Sequence, residues 1–175
     1  MNKTNHSSVR KLVLSGLFTA IIFVLTAFFP IPLGHGYANA GDCFIVLSGL
    51  ILGPLAGLSV SGIGSALADL YLGYSVYAPA TLIIKGAMGL VSGLMYKRMT
   101  LKPGMKTILA LLFVSVVCEI IMVSGYFVFE TVFFGIGVAL ADVFGNSMQA
   151  AFGIFLSTAV SAVLSKTGVL QSIKG

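Results

Sequence analysis

KRMTLKPGMKTILALLFVSVVCEIIMVSGYFVF, residues 97–129, sets the fold. Lys97, Arg98, Lys102 and Lys106 crowd into the first ten positions, and the rest is an apolar run in which Glu119 is the single charge. A run from about 107 to 129 is long enough to cross a hydrocarbon core, which takes roughly 20 residues of helix. The segment KRMTLKPGMK, 97–106, with its Pro-Gly pair, is a loop beside the membrane.

Outward from this segment the same pattern repeats. A first span covers about 11–29 and stops at Pro30-Ile-Pro32. A second, about 42–52, is short enough to be tilted, kinked or partly inserted, and Gly53-Pro54 breaks it. A third runs over about 55–72 and a fourth over about 79–96, with Pro79 suited to a first helical turn. A sixth follows at about 139–164 after a glycine-containing connection. Composition agrees: 58% of the 175 residues are hydrophobic and 9% charged, and mean hydropathy is +1.07. The expected fold is an all-α integral membrane protein, one domain over 1–175 built as a bundle of about six transmembrane helices in a lipid bilayer.

Charge placement orients the bundle. Lys3, Arg10 and Lys11 precede the first span, the four cations of 97–106 join the fourth to the fifth, and Lys166 and Lys174 follow the sixth. With six spans these segments fall on one side, and the three opposite connections hold neither Lys nor Arg. The positive-inside rule then makes both termini cytoplasmic. The net charge of +5 records this orientation and not nucleic-acid binding. A cleaved signal peptide over the first forty residues is the alternative. It is disfavoured because the apolar stretch exceeds the roughly 7–15 residues of a signal core, and because cleavage would split the basic segments between the two sides.

No phosphate-cradling glycine loop, metal-ligand spacing or nucleophile with a matching base is present, so the expectation is neither an enzyme nor a cofactor protein. Cys43 and Cys118 read as small buried residues. What remains is a set of polar groups on membrane helices, which mark a binding site or a path unless they tie the bundle together. Glu119, Met122, Tyr126 and Glu130 share one face of the fifth span, and Asp142, Asn146, Gln149 and Gly153 share one face of the sixth. Amides, carboxylates and an aromatic ring on facing helices can hold a small polar heterocycle by its edges. Ser61, Ser65 and Asp69 line one face of the third span, and Thr81, Lys85 and Met88 one face of the fourth.

Several of these have plainer readings. Asp69 and Lys85 can pair with each other, and Asp42 can cap the second helix as readily as it can bind or gate. Phe28, Tyr71, Tyr74 and Tyr77 fit an interfacial aromatic belt. Gly49 and Gly53, Gly53 and Gly57, and Gly89 and Gly93 stand four apart, the spacing that lets helices approach closely. Gly16 and Ala20 make the same small pair on a first helix otherwise rich in large apolar residues, a groove suited to another membrane protein.

Gly41 to Gly93, with its GD, GP, GSALADL, YAPAT and IIKG elements, followed by GYFVFE and GNSMQ, resembles the substrate-binding S components of energy-coupling factor (ECF) vitamin importers. The similarity covers nearly the whole chain and lies in the hydroxymethylpyrimidine or pyridoxine branch. It implies a subunit of the bacterial plasma membrane that captures a vitamin from outside beneath a mobile loop, and a transmembrane coupling protein and two ATPases as partners that supply the ATP hydrolysis. It further implies that Gly16 and Ala20 stand where the family carries an AxxxA docking motif.

HGYANAGDCF, 35–44, then reads as part of a polar, cation-free gating loop over about 30–41 that brings Asn39 to the ligand. The expected substrate site is Asn39, Asp42, Asp69, Thr81, Lys85, Glu119, Tyr126, Glu130, Asp142, Asn146 and Gln149, with Gly16 and Ala20 for docking. Two competing readings are a stand-alone ion-coupled carrier with a proton site at Glu119 or Asp142, and a membrane scaffold without substrate.

Overall fold

A computed structural model of the chain describes residues 3–29, 31–33, 36–99 and 104–168. Among the described residues six helices follow one another: α1 (Lys3–Phe28), α2 (Gly41–Leu52), α3 (Pro54–Leu72), α4 (Ala78–Arg98), α5 (Met105–Phe134) and α6 (Ile136–Lys166). All but the 12-residue α2 are long and apolar enough to cross a membrane. Large apolar side chains such as Leu12, Phe113 and Phe155 point outward, as befits a bundle solvated by lipid.

The helix breaks are written in glycine and proline. Gly53, at φ 86°, separates α2 from α3, and Pro54 opens α3. Its role is conformational, and the close-packing role read from its spacing belongs to its neighbours, since nothing lies within 4 Å of a Cβ placed there. Gly73 ends α3 in the left-handed conformation, and the Tyr74 N–H returns to the Asp69 carbonyl at 2.8 Å. Gly135, at φ 92°, is the whole connection between α5 and α6.

Between α1 and α2 the expected loop contains a β-ribbon: β1 (Ile31–Leu33) pairs antiparallel with β2 (Gly36–Ala38), Leu33 opposite Gly36. The backbone groups of the segment thus find partners in each other. The β2 strand runs against α6. Pro30, Gly34 and His35 of that loop, residues 100–103 of the 97–106 loop and Lys174 lie outside the described residues.

The bundle is tightest where α2, α3 and α4 meet. A Cβ on Gly57 would stand 2.7 Å from both the Gly49 Cα and the Gly89 carbonyl, and one on Gly93 would stand 2.6 Å from Pro54. The three backbones touch, which only glycine permits. Hydroxyls stitch the same seam: Ser48 and Ser61 bond at 3.0 Å, and Ser92 donates to the Val46 carbonyl at 3.2 Å. Ile22, Ile45, Met88, Leu111 and Met122 fill the centre with Cys43 and Cys118, both free thiols.

Candidate functional site

At the end of the bundle that carries the ribbon, the helices diverge around a cavity of about 220 Å³. From α5 it is lined by Tyr126 and Glu130, and from α6 by Asp142, Asn146 and Gln149, so the two polar faces do meet. Asp69, Thr81 and Lys85 close it from α3 and α4, and Asn39 roofs it from the end of the ribbon. The cavity also takes Thr26, Ser65, Tyr74 and Tyr77, which the sequence reading left out of the site. Tyr74 and Tyr77 thus line the cavity as well, Tyr74 remaining half exposed, whereas Phe28 and Tyr71 project outward and do not line it. The GYSVYAPAT turn bends back over the mouth, and only the spacing of its two tyrosines from Thr81 signals this.

Beneath the cavity lies a charged knot. Lys85 Nζ donates to Asp42 Oδ1 at 2.5 Å, and Gln149 Nε2 donates to Asp42 Oδ2 at 2.6 Å. Lys85 therefore pairs with Asp42 and not with Asp69, because the first turn of α2 brings Asp42 to the face of α4 that carries Lys85. Asp42 is also not the cap of α2. It is buried with its carboxylate turned inward, and Ala40 holds the N-cap position without a side-chain cap, while Asn39 Oδ1 accepts the Gly41 N–H at 2.8 Å in a tight turn just before the helix. The ammonium sits 5.7 Å from the centre of the Tyr126 ring, within cation–π range. Tyr126 and Thr81 share a hydrogen bond of 2.9 Å, with Thr81 in reach of Asp69. A carboxylate only accepts, so a Thr81 hydroxyl that donates to Asp69 accepts its second hydrogen bond from the Tyr126 hydroxyl.

The cavity itself is electronegative. Burial pushes the Tyr77 phenol up, and the charges of Glu130, Asp142 and Asp69 push it further. One oxygen each of Asp69 and Glu130, and the Ser65 hydroxyl, are buried without a hydrogen-bond partner among the described residues.

Glu119 departs from its expected place. It lies below the cavity, fully buried, both carboxylate oxygens without a partner among the described residues. Its carboxylate fills the space left by the missing side chain of Gly153, where a Cβ would collide with Oε1. Its stem borders a separate apolar groove of about 440 Å³ between α5 and α6. On α1, Gly16 and Ala20 are exposed, with nothing within 4 Å of a Cβ built on Gly16, and Leu12, Val13 and Leu17 flank them in the open.

The family model for the ECF-type riboflavin transporter, S component, matches residues 6–166. The chain belongs to that family. It is thus a multi-pass membrane protein of a transporter family and not an enzyme. This S component is 28% identical over 177 residues to the thiamine precursor transporter HmpT of Lactococcus lactis, across 99% of both chains. It is 37% identical to an uncharacterized protein of Pyrococcus woesei, over 78% of this chain and 88% of that one. A UPF0397 protein of Lactobacillus gasseri is 34% identical over 62% of this chain and 59% of its own.

Proposed function

We propose that this S component captures a small heteroaromatic vitamin or vitamin precursor, hydroxymethylpyrimidine or pyridoxine in class, from outside the cell and hands it to an ATP-driven ECF module. The observation that carries the reading is the cavity. Its tyrosines offer ring faces for stacking, and its amides, hydroxyls and carboxylates converge on the edges of whatever lies between them. At about 220 Å³ it is smaller than the roughly 300–1,000 Å³ of pockets for drug-sized ligands. That size suits one substituted ring better than the fused rings and sugar-alcohol chain of riboflavin. The likeness to HmpT along the full length points the same way.

Asn146, Gln149, Tyr126 and Thr81 are the groups we assign to the ring edges and face, with Asp69, Glu130 and Asp142 around them and Asn39 covering the ligand from the ribbon. Asp42 and Lys85 hold the floor. The ribbon end faces outward in this reading and both termini face the cytoplasm, as the basic residues of 97–106 require. The open face of α1 at Gly16 and Ala20 receives the coupling protein, which brings two ATPases. Close helix contact there draws on packing, since lipid and protein are equally apolar.

Calorimetry on the purified chain tests the assignment. Hydroxymethylpyrimidine or pyridoxine should bind, and riboflavin should bind more weakly than the better of the two. Tight riboflavin binding with neither single ring bound would refute it.

A further inference from the structure

The cavity holds its charges in an unequal count. Lys85 is the one Lys or Arg lining it among the described residues, and that ammonium is already engaged by Asp42, itself outside the lining. Three more carboxylates surround the space, and none of them is in an ion pair with a described residue: Asp69 from α3, Glu130 from α5 and Asp142 from α6. Asp69 and Glu130 are more than nine-tenths buried, and each keeps one oxygen without a partner among the described residues, as does the hydroxyl of buried Ser65. Buried carboxylates without partners are costly, and a bound cation would remove that cost.

We propose that the ligand enters as a protonated, amino-bearing nitrogen heterocycle, its donors turned toward Asp69 on one side and toward Glu130 and Asp142 on the other. The inference rests on the cavity being the substrate site, and it narrows the substrate class from any small polar ring to a cationic one. A phosphate ester of the same ring is excluded, because its charge would meet three carboxylates and an ammonium already bound. The remaining titratable groups that face the space are Tyr74 before α4, Tyr77 at its start and Tyr126 on α5. The contributions from α1 and from the end of the ribbon, Thr26 and Asn39, do not titrate. With Lys85 taken by Asp42, a cation to answer these carboxylates would come with the ligand.

The test uses two pairs of near-identical shape: hydroxymethylpyrimidine with its ring amino group against its oxo counterpart, and pyridoxamine against pyridoxine. Titration calorimetry of each with the purified full chain, in buffers of different ionisation enthalpy, reads affinity and proton uptake together. In whichever pair binds more tightly, the amino member should win by about tenfold or more. Asp69→Asn and Asp142→Asn, each checked for an unchanged melting profile, should shrink that preference. Equal or better binding of the oxo or hydroxyl member in that pair overturns the inference while leaving the site reading intact. Failure of all four rings to bind overturns both.

Discussion

Lys85 on α4 and Asp42 on α2 meet at 2.5 Å with both side chains buried, and Gln149 of α6 takes the second oxygen of the same carboxylate. Three helices are joined at one acid, directly under the cavity. Removing one member of a buried pair strands the other in a medium that cannot solvate it, at a cost of about 3–5 kcal/mol. Asp42→Ala and Lys85→Met should each lower the thermal midpoint of the protein in detergent sharply. The double variant Asp42→Ala with Lys85→Met should recover part of that loss, and additive losses in the double variant would show that the two side chains do not act as a pair.

Asn146 and Gln149 occupy one face of α6 but differ in their surroundings. Asn146 is half-buried at the cavity, whereas the Gln149 amide is bonded to Asp42. Either change to Ala should weaken ligand binding by about 1–3 kcal/mol, and Gln149→Ala should lower the melting temperature as well. Calorimetry and thermal unfolding on the same preparations separate the two effects. Unchanged affinity in both variants would move these residues from binding to helix packing.

The contact of α2, α3 and α4 leaves no room for a methyl group. Gly49→Ala would drive its Cβ into Ser92 and the Gly89 carbonyl, and Gly89→Ala would drive one into Gly57. Each should destabilise by about 1–3 kcal/mol. Gly16→Ala meets nothing within 4 Å and should melt like the parent chain in isolation. A large loss in Gly16→Ala would contradict the open face described for α1.

Glu119 and Gly153 are matched in volume. Gly153→Ala should be strongly destabilising in the parent chain and better tolerated with Glu119→Ala, because the added methyl group then finds space. A double-mutant cycle by thermal unfolding measures the coupling directly. Zero coupling would mean that the carboxylate does not rest against Gly153.

The span pattern was plain in the sequence because apolar runs of transmembrane length, broken at Gly53-Pro54, Gly73 and Pro79, leave few other folds open. The meeting of the α5 and α6 polar faces was equally legible, since helical spacing fixes which residues share a side. Spacing says nothing of depth. Glu119 and Glu130 share a face, yet three turns of helix, about 16 Å, separate them, and the cavity extends only over the upper part. Partner choice was hidden for a related reason: Lys85 pairs with Asp42 because short α2 enters the bundle beside α4, a tertiary fact with no local signal. The ribbon escaped notice because strands of three residues are too short to display an alternating period.

The central claim is that this S component hands a captured ring to an ATP-driven partner through α1. Vesicles holding the chain together with an ECF coupling protein and its two ATPases should accumulate radiolabelled hydroxymethylpyrimidine or pyridoxine when ATP is supplied on the ATPase side. Gly16→Leu should keep equilibrium binding of the ligand and lose both uptake and co-purification of the module. Uptake by the chain alone, driven by a proton gradient and indifferent to ATP, would contradict the account.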